Sequence, residues 1–305
     1  MKNMSRRPLH AKALDFFCDL YKSLRFLFHY LQEKKRYGNY YFPYRPLHKG
    51  ETVNILANGP SLNTELEGLM TNNSILENTL VVNFFVESEM FVQIKPRYYC
   101  LADPGFNIKE CLTKRTRNTY SVLNELVSWP MTIFVWKEAE DMVTEFIENS
   151  LIKIVGLSIL RYEGFDSKRY ECFKNGIAVP SYINVTIMAL YALLNMGYST
   201  IYLYGVDHTF LTGICVNEKN RLCVTDKHFY GTKTSEVPPR SNGILWHVKD
   251  FIYDKYLTFV EHEIMRGYAD YLGAQIINCT KDSWIDAYVR KAQLEKQSEK
   301  NISNI

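Results

Sequence analysis

No apolar run in this 305-residue chain approaches the roughly 18 residues of a membrane-crossing helix, which predicts a soluble or peripheral protein. The seven cysteines, Cys18, Cys100, Cys111, Cys172, Cys215, Cys223 and Cys279, are scattered, odd in number and without a CxxC pair. That argues against a disulfide scaffold or a zinc ribbon. With no secretory apolar region ahead of the body, reduced thiols and a cytoplasmic location are expected. Glycine and proline, 15 and 10 residues, are too few for a collagen-like or low-complexity chain. A net charge of +3 is too small to argue for a nucleic-acid partner. GxGxxG, the Walker GK[ST], HExxH and GxSxG are all missing, which removes the simplest fingerprints for dinucleotides, NTP hydrolysis, zinc proteolysis and serine hydrolysis.

What is present describes a globular protein, with 47% hydrophobic residues and length enough for a full core. Aromatics reach 14%, with 22 Tyr and 17 Phe, a composition suited to stacking on planar and hydroxylated ligands. Charge is unevenly placed. Residues 1–50 hold eleven Lys and Arg against three Asp and Glu, a local charge of +8 that leaves −5 over the rest. Within that head Leu14, Phe17, Tyr21, Leu24, Phe28 and Leu31 recur at helical spacing among Lys12, Lys22, Arg25, Lys34, Lys35 and Arg36. Such a helix meets either an anionic membrane surface, on the inner face of a plasma membrane, or protein: its own domain or a second copy in a homo-oligomer. A Tyr/Phe/Pro-rich linker over residues 37–49 follows.

The body reads as β-strands over residues 52–56, 80–82, 98–101, 131–136, 200–204 and 274–277, with a buried helix over 183–196 that stops at Gly197. Strands alternating with helices, each strand ending in small or polar residues, predict an α/β fold. A Rossmann-like, mainly parallel sheet with helices on both faces spans residues 51–290, preceded by the basic amphipathic helix and linker of residues 1–50 and followed by a polar tail, residues 291–305. In such sheets ligands bind at the carboxyl ends of the strands. The polar residues there are the candidates. Asn58-Gly59-Pro60-Ser61 follows the first strand: Gly59 permits close backbone approach, Ser61 can cap a helix, and the helix start can face a phosphate. Asn83 and Asp103 follow the next strands, and Asn278 a late one; they suit ribose hydroxyls or base edges, or simply turns. Asp207-His208 follows Gly205. Without H-x-H or D-x-D nearby, a loop-fixing or pocket-shaping role is expected rather than a metal site. His228, in the polar stretch of residues 226–231, is a candidate general base, an imidazole being the side chain that titrates at about 6.5. Tyr230 is the neighbouring candidate proton donor to a leaving phosphate.

In this order the motifs resemble the bacterial lipooligosaccharide sialyltransferases over roughly residues 52–290. The resemblance rests on Asn58-Gly59-Pro60-Ser61-Leu62, Asn83, the unit ending Gly205-Val206-Asp207, His228-Phe229-Tyr230-Gly231, and residues 278–284. It implies a Rossmann-like domain, a CMP-activated sugar as donor substrate and no cofactor. By the same implication Asn58 and Asn83 touch the donor's phosphate and ribose region, Gly205 and Asp207 border the base, and His228 deprotonates the acceptor hydroxyl. Departures exist. Asn184-Val185-Thr186 stands where the family has Thr-Ser-Gly, and no tyrosine pair follows Asp207. The same short motifs are similar to the MptE-type hydroxymethylpterin diphosphokinase-like group, which includes glycosyltransferases adding nonulosonic sugars to flagellin.

The expectation is a metal-independent glycosyltransferase that moves sialic acid or a related nonulosonate to a glycan or lipid-linked acceptor in surface polysaccharide or glycoconjugate synthesis. Its alternatives are a pterin diphosphokinase-like, Mg²⁺- and ATP-dependent transferase, and a polysaccharide-assembly partner without turnover.

Overall fold

The computed structural model describes residues 8–38, 41–70, 78–228, 231–239 and 243–294. The chain opens with α1 (Leu9–Tyr37), then β1 (Thr52–Leu56), α2 (Leu62–Met70), β2 (Thr79–Val82), α3 (Met90–Ile94) and β3 (Tyr98–Cys100). Next come α4 (Pro104–Asn107), α5 (Lys114–Leu126), β4 (Met131–Trp136), α6 (Glu140–Phe146), β5 (Ile152–Leu157) and α7 (Asp166–Lys174). The second half holds α8 (Val185–Asn195), β6 (Thr200–Tyr204), a hairpin region of β7 (Ile214–Val216), β8 (Leu222–His228) and β9 (Gly231–Glu236), then α9 (Val248–Leu272), β10 (Gln275–Asn278) and β11 (Val289–Arg290).

Eight strands form one parallel sheet in the order β11-β10-β6-β1-β2-β3-β4-β5. The strands are short and apolar on both sides, as a sheet covered on both faces requires. One core packs α8 and α9 against Val53, Ile55, Ile201 and Leu203. The other packs α2, α3, α5 and α6 against Leu56, Val81, Tyr99 and Ile133. α8 is buried all round, which explains its unbroken apolar sequence.

The strand order reverses between β1 and β6. From β1 the chain builds outward to β5, then returns to lay β6 on the other side of β1, in register from Thr52↔Thr200 to Leu56↔Tyr204. Hydrogen bonds continue past both strands, from Ala57 N to Tyr204 O at 2.9 Å and Gly59 N to Gly205 O at 2.8 Å. The β1 and β6 loops therefore leave the sheet together, and the two halves diverge around them. That divergence opens a crevice at the carboxyl ends of the strands.

α1 runs along the body. Phe26 is buried against Tyr162, Arg25 Nε donates to Glu163 at 2.7 Å, and Ser158 Oγ donates to Glu33 at 3.0 Å. The expected linker is a strap laid on the body: Tyr44 N bonds Lys174 O at 2.7 Å, Arg45 N bonds Asn195 O at 2.6 Å, and Phe42 O accepts from Asn195 Nδ2 at 2.7 Å. None of the helices among the described residues is long and apolar enough to cross a membrane.

Candidate functional site

The β1 and β6 loops lock together before they meet any ligand. Ser61 N and Ser61 Oγ donate to the two Asp207 carboxylate oxygens at 3.2 and 2.9 Å. Burial raises the Asp207 pKa, and those two bonds pull it back. A Cβ at Gly59 would overlap the Asp207 carboxylate and the Gly205 carbonyl; a Cβ at Gly205, which sits at φ 66°, would in turn collide with Ala57 O. These glycines thus serve the approach of one loop to the other. Glu65 completes the lock, accepting from Gly205 N at 2.8 Å and Lys281 N at 2.9 Å.

This lock revises the expected phosphate seat. Gly59 N is bonded to Gly205 O, Leu62 N to Gly59 O and Ser61 N to Asp207, while Pro60 has no N–H. The Asp207 carboxylate already occupies the place an anion would take at the start of α2. Asn278, also expected near a ligand, is buried and spent on structure: its Nδ2 donates to Ser283 Oγ at 3.1 Å, and its Oδ1 accepts from Thr280 N at 3.1 Å.

In front of the lock lies a cleft of about 340 Å³, within the usual range for small-ligand sites. Asn58 reaches into it from β1. Its Nδ2 donates to Val82 O at 3.2 Å, while its Oδ1 is buried and meets no donor among the described residues. Asn83, at φ 45°, accepts from Ala102 N at 3.2 Å and bonds Asp103. Asp103 is solvent-exposed at the mouth of the cleft, with protein packed around its carboxyl group. That enclosure raises its carboxyl pKa, against the bond from Asn83 and the charges of His228 and Arg115. Asn184 caps α8, its Oδ1 accepting from Thr186 N at 2.8 Å, so the positive end of a second helix dipole faces the cleft.

The remaining walls come from the second half of the chain. His208, at φ 53°, is buried and its Nε2 lies 2.9 Å from His262 Nε2; His262 Nδ1 lies 2.8 Å from Tyr288 OH. Burial, then the neighbouring His262 and Lys255, hold His208 well below the ordinary imidazole range. Burial alone pushes His262 down to about 3, and Tyr288 is pushed up. Lys255 Nζ sits 4.8 Å from the Phe210 ring centre and 4.9 Å from that of Phe251, with Asp254 at 2.9 Å. His228 arrives from the hairpin. It ends β8, where it pairs with Gly231 of β9.

Of the twelve residues singled out from sequence, Ser61 stands behind the wall on Asp207, Asn278 is held in structural bonds, Tyr230 lies outside the described residues, and the other nine line the cleft. Sequence reasoning missed Lys255, Phe210, Phe251 and His262. Three of these lie on α9, whose buried stripe includes Thr258 and His262 and so carries no clean apolar period. Among the described residues no three His, Cys, Asp or Glu side chains gather to hold a metal ion.

Fold and cleft define the class: a Rossmann-like α/β protein with its site at the switch point of a parallel sheet. No protein-family model matches the chain, and no curated protein matches it in sequence. Among solved structures it is similar to the MAf glycosyltransferase from Magnetospirillum magneticum AMB-1, at TM-score 0.49 and 14% identity. The likeness covers 86% of this chain and 38% of that one, and it concerns the path of the chain alone.

Proposed function

We propose that the protein is a glycosyltransferase that takes a nucleotide-activated sugar, CMP-sialic acid or a related nonulosonate, in the switch-point cleft. The observation that carries this reading is the meeting of a buried, unbonded Asn58 Oδ1, the α8 N-terminus, and His228 and Asp103 in one crevice. An amide acceptor suits a base edge or a ribose hydroxyl, a helix start suits a phosphate, and an imidazole in the same cleft as a carboxylate suits a base.

In the proposed reaction the acceptor oxygen attacks the anomeric carbon and its proton passes to His228. The bond from that carbon to the phosphate oxygen breaks, and the phosphate keeps the electron pair. Positive potential from α8 and Lys255 stabilises the charge it gains, work that a divalent cation performs in other transferases. Because the α2 start is filled by Asp207, α8 is the phosphate end of the donor in this reading.

Thermal-shift measurements with CMP, UDP, GDP, ADP and their sugars test it, since a ligand of the native state raises its melting temperature. A cytidine nucleotide should stabilise the protein and Asn58→Ala should weaken the effect. Stabilisation by ATP together with an absolute Mg²⁺ requirement would point to a phosphoryl or diphosphoryl transferase instead. Donor binding without transfer or hydrolysis would leave an assembly partner.

A further inference from the structure

α1 turns the wrong face outward for a helix that only packs on its own domain. The side toward the body runs through Asp15, Asp19, Ser23, Phe26, Tyr30 and Glu33, at intervals of three, four and seven, and all are partly or fully buried. The opposite side carries Leu14, Phe17, Tyr21, Leu24, Phe28 and Leu31, which are 54–65% exposed. An apolar stripe of this kind along a 29-residue helix, about 40 Å long, is far more than scattered surface hydrophobics.

Charge follows the same division. The helix has three carboxylates, and all three lie on the body side. Lys35 lies on the outward side, where the helix has no carboxylate, with the exposed Lys34 and Arg36 flanking it, whereas Lys22 pairs with Asp19 on the body side at 3.6 Å. The sequence adds Lys2, Arg6 and Arg7 at the other end.

We propose that the outward face of α1 docks on an anionic lipid surface, its leucines and aromatics entering the interface and its cations meeting headgroups. The charge pattern decides against a second copy of the chain. Parallel pairing through this face would set Lys35 against its copy; antiparallel pairing would set it against a stretch of the helix whose outward side holds no carboxylate. Neither arrangement supplies a carboxylate. The inference is independent of the transferase reading.

Flotation of the full chain with vesicles tests it, using phosphatidylcholine with and without phosphatidylglycerol. The protein should float with the anionic vesicles and remain in solution with the neutral ones. The double substitution Leu24→Glu, Phe28→Glu should lower partitioning more than about tenfold. Lys34→Gln, Lys35→Gln, Arg36→Gln should lower it by about fivefold per charge removed. Both variants alter exposed positions, so both should keep the parent melting temperature. Failure to float with anionic vesicles, or equal flotation of the double variant, overturns the proposal. A stable dimer by sedimentation that Leu24→Glu, Phe28→Glu dissolves would give the face to a second copy and overturn it equally.

Discussion

Two imidazoles buried against each other give the back of the cleft a definite response to acid. Folding depresses the pKa of His208 and takes His262 from the ordinary 6.5 to about 3. Between those limits the unfolded chain binds more protons than the native one. The stabilisation is therefore complete above pH 6.5 and is lost as pH falls toward 3. Each histidine can contribute up to about 1.4 kcal/mol per pH unit, so denaturant unfolding at about pH 5 should show a clear loss against about pH 7.5. His262→Gln should halve that slope; an unchanged slope would remove the pair from the acid response. The same burial separates the two histidines of the cleft in function. His228→Ala should lower turnover by about 10²–10⁴-fold with donor affinity kept, the usual loss for a general base. His208→Ala should change donor affinity and stability more than rate. Single-turnover and equilibrium binding measurements distinguish these outcomes, and a dead His208→Ala beside an active His228→Ala would reverse the assignment.

Elements differ in how much of themselves the sequence declares, and the difference has physical causes. β1, β4 and β6 are runs rich in β-formers, broken in β1 only by Asn54 and ended by polar or small residues, so their limits read directly. β5 and the β7–β9 hairpin were not legible. β5 contains Lys153 and Gly156, and every residue of β9 is exposed, with Thr225 and Thr234 joined across the strands by their hydroxyls at 2.9 Å. The strand-end residues of the site could be found because a parallel sheet gathers them at one edge. Glu65, His262 and Lys255 could not, since their roles depend on where whole helices lie. At this scale α8 offers a discriminating test, because Asn184 both caps the helix and lines the cleft. Asn184→Asp keeps an acceptor for Thr186 N and suits the helix dipole, so stability should stay within about 0.5 kcal/mol. If the donor phosphate sits at this helix start, the added negative charge should weaken donor binding at least tenfold, read by titration calorimetry. Unchanged affinity would move the phosphate elsewhere.

Across the whole molecule, the basic amino-terminal region and the acidic remainder are joined more closely than their compositions suggest. Residues 1–50 read as a separable helix and linker because nothing local in Tyr- and Pro-rich sequence says what it packs on. In the fold, Phe42 lies edge-on to Phe134 with ring centres 6.0 Å apart, and Gly176 and Gly197 leave room for Phe42 and Pro46 respectively. A side chain at either glycine would collide with the strap, so the strap is part of the domain's surface. A chain beginning at Gly50 would uncover Phe134 and remove the bonds that Tyr44 N, Arg45 N and Phe42 O make to Lys174 O, Asn195 O and Asn195 Nδ2, leaving that nitrogen only Phe173 O. Losing one buried aromatic contact and several buried hydrogen bonds costs more than about 3 kcal/mol. For a domain of this size that lowers the melting temperature by roughly 5–10 °C. By contrast, a chain beginning at Lys22 keeps the Phe26, Arg25 and Glu33 contacts and the whole strap, and should melt within a few degrees of the parent. Calorimetry of the two shortened chains decides between these roles. If the chain from Gly50 is as stable as the parent, the strap is a true linker. If the chain from Lys22 already melts early, the first half of α1 carries stability that its exposed face does not account for.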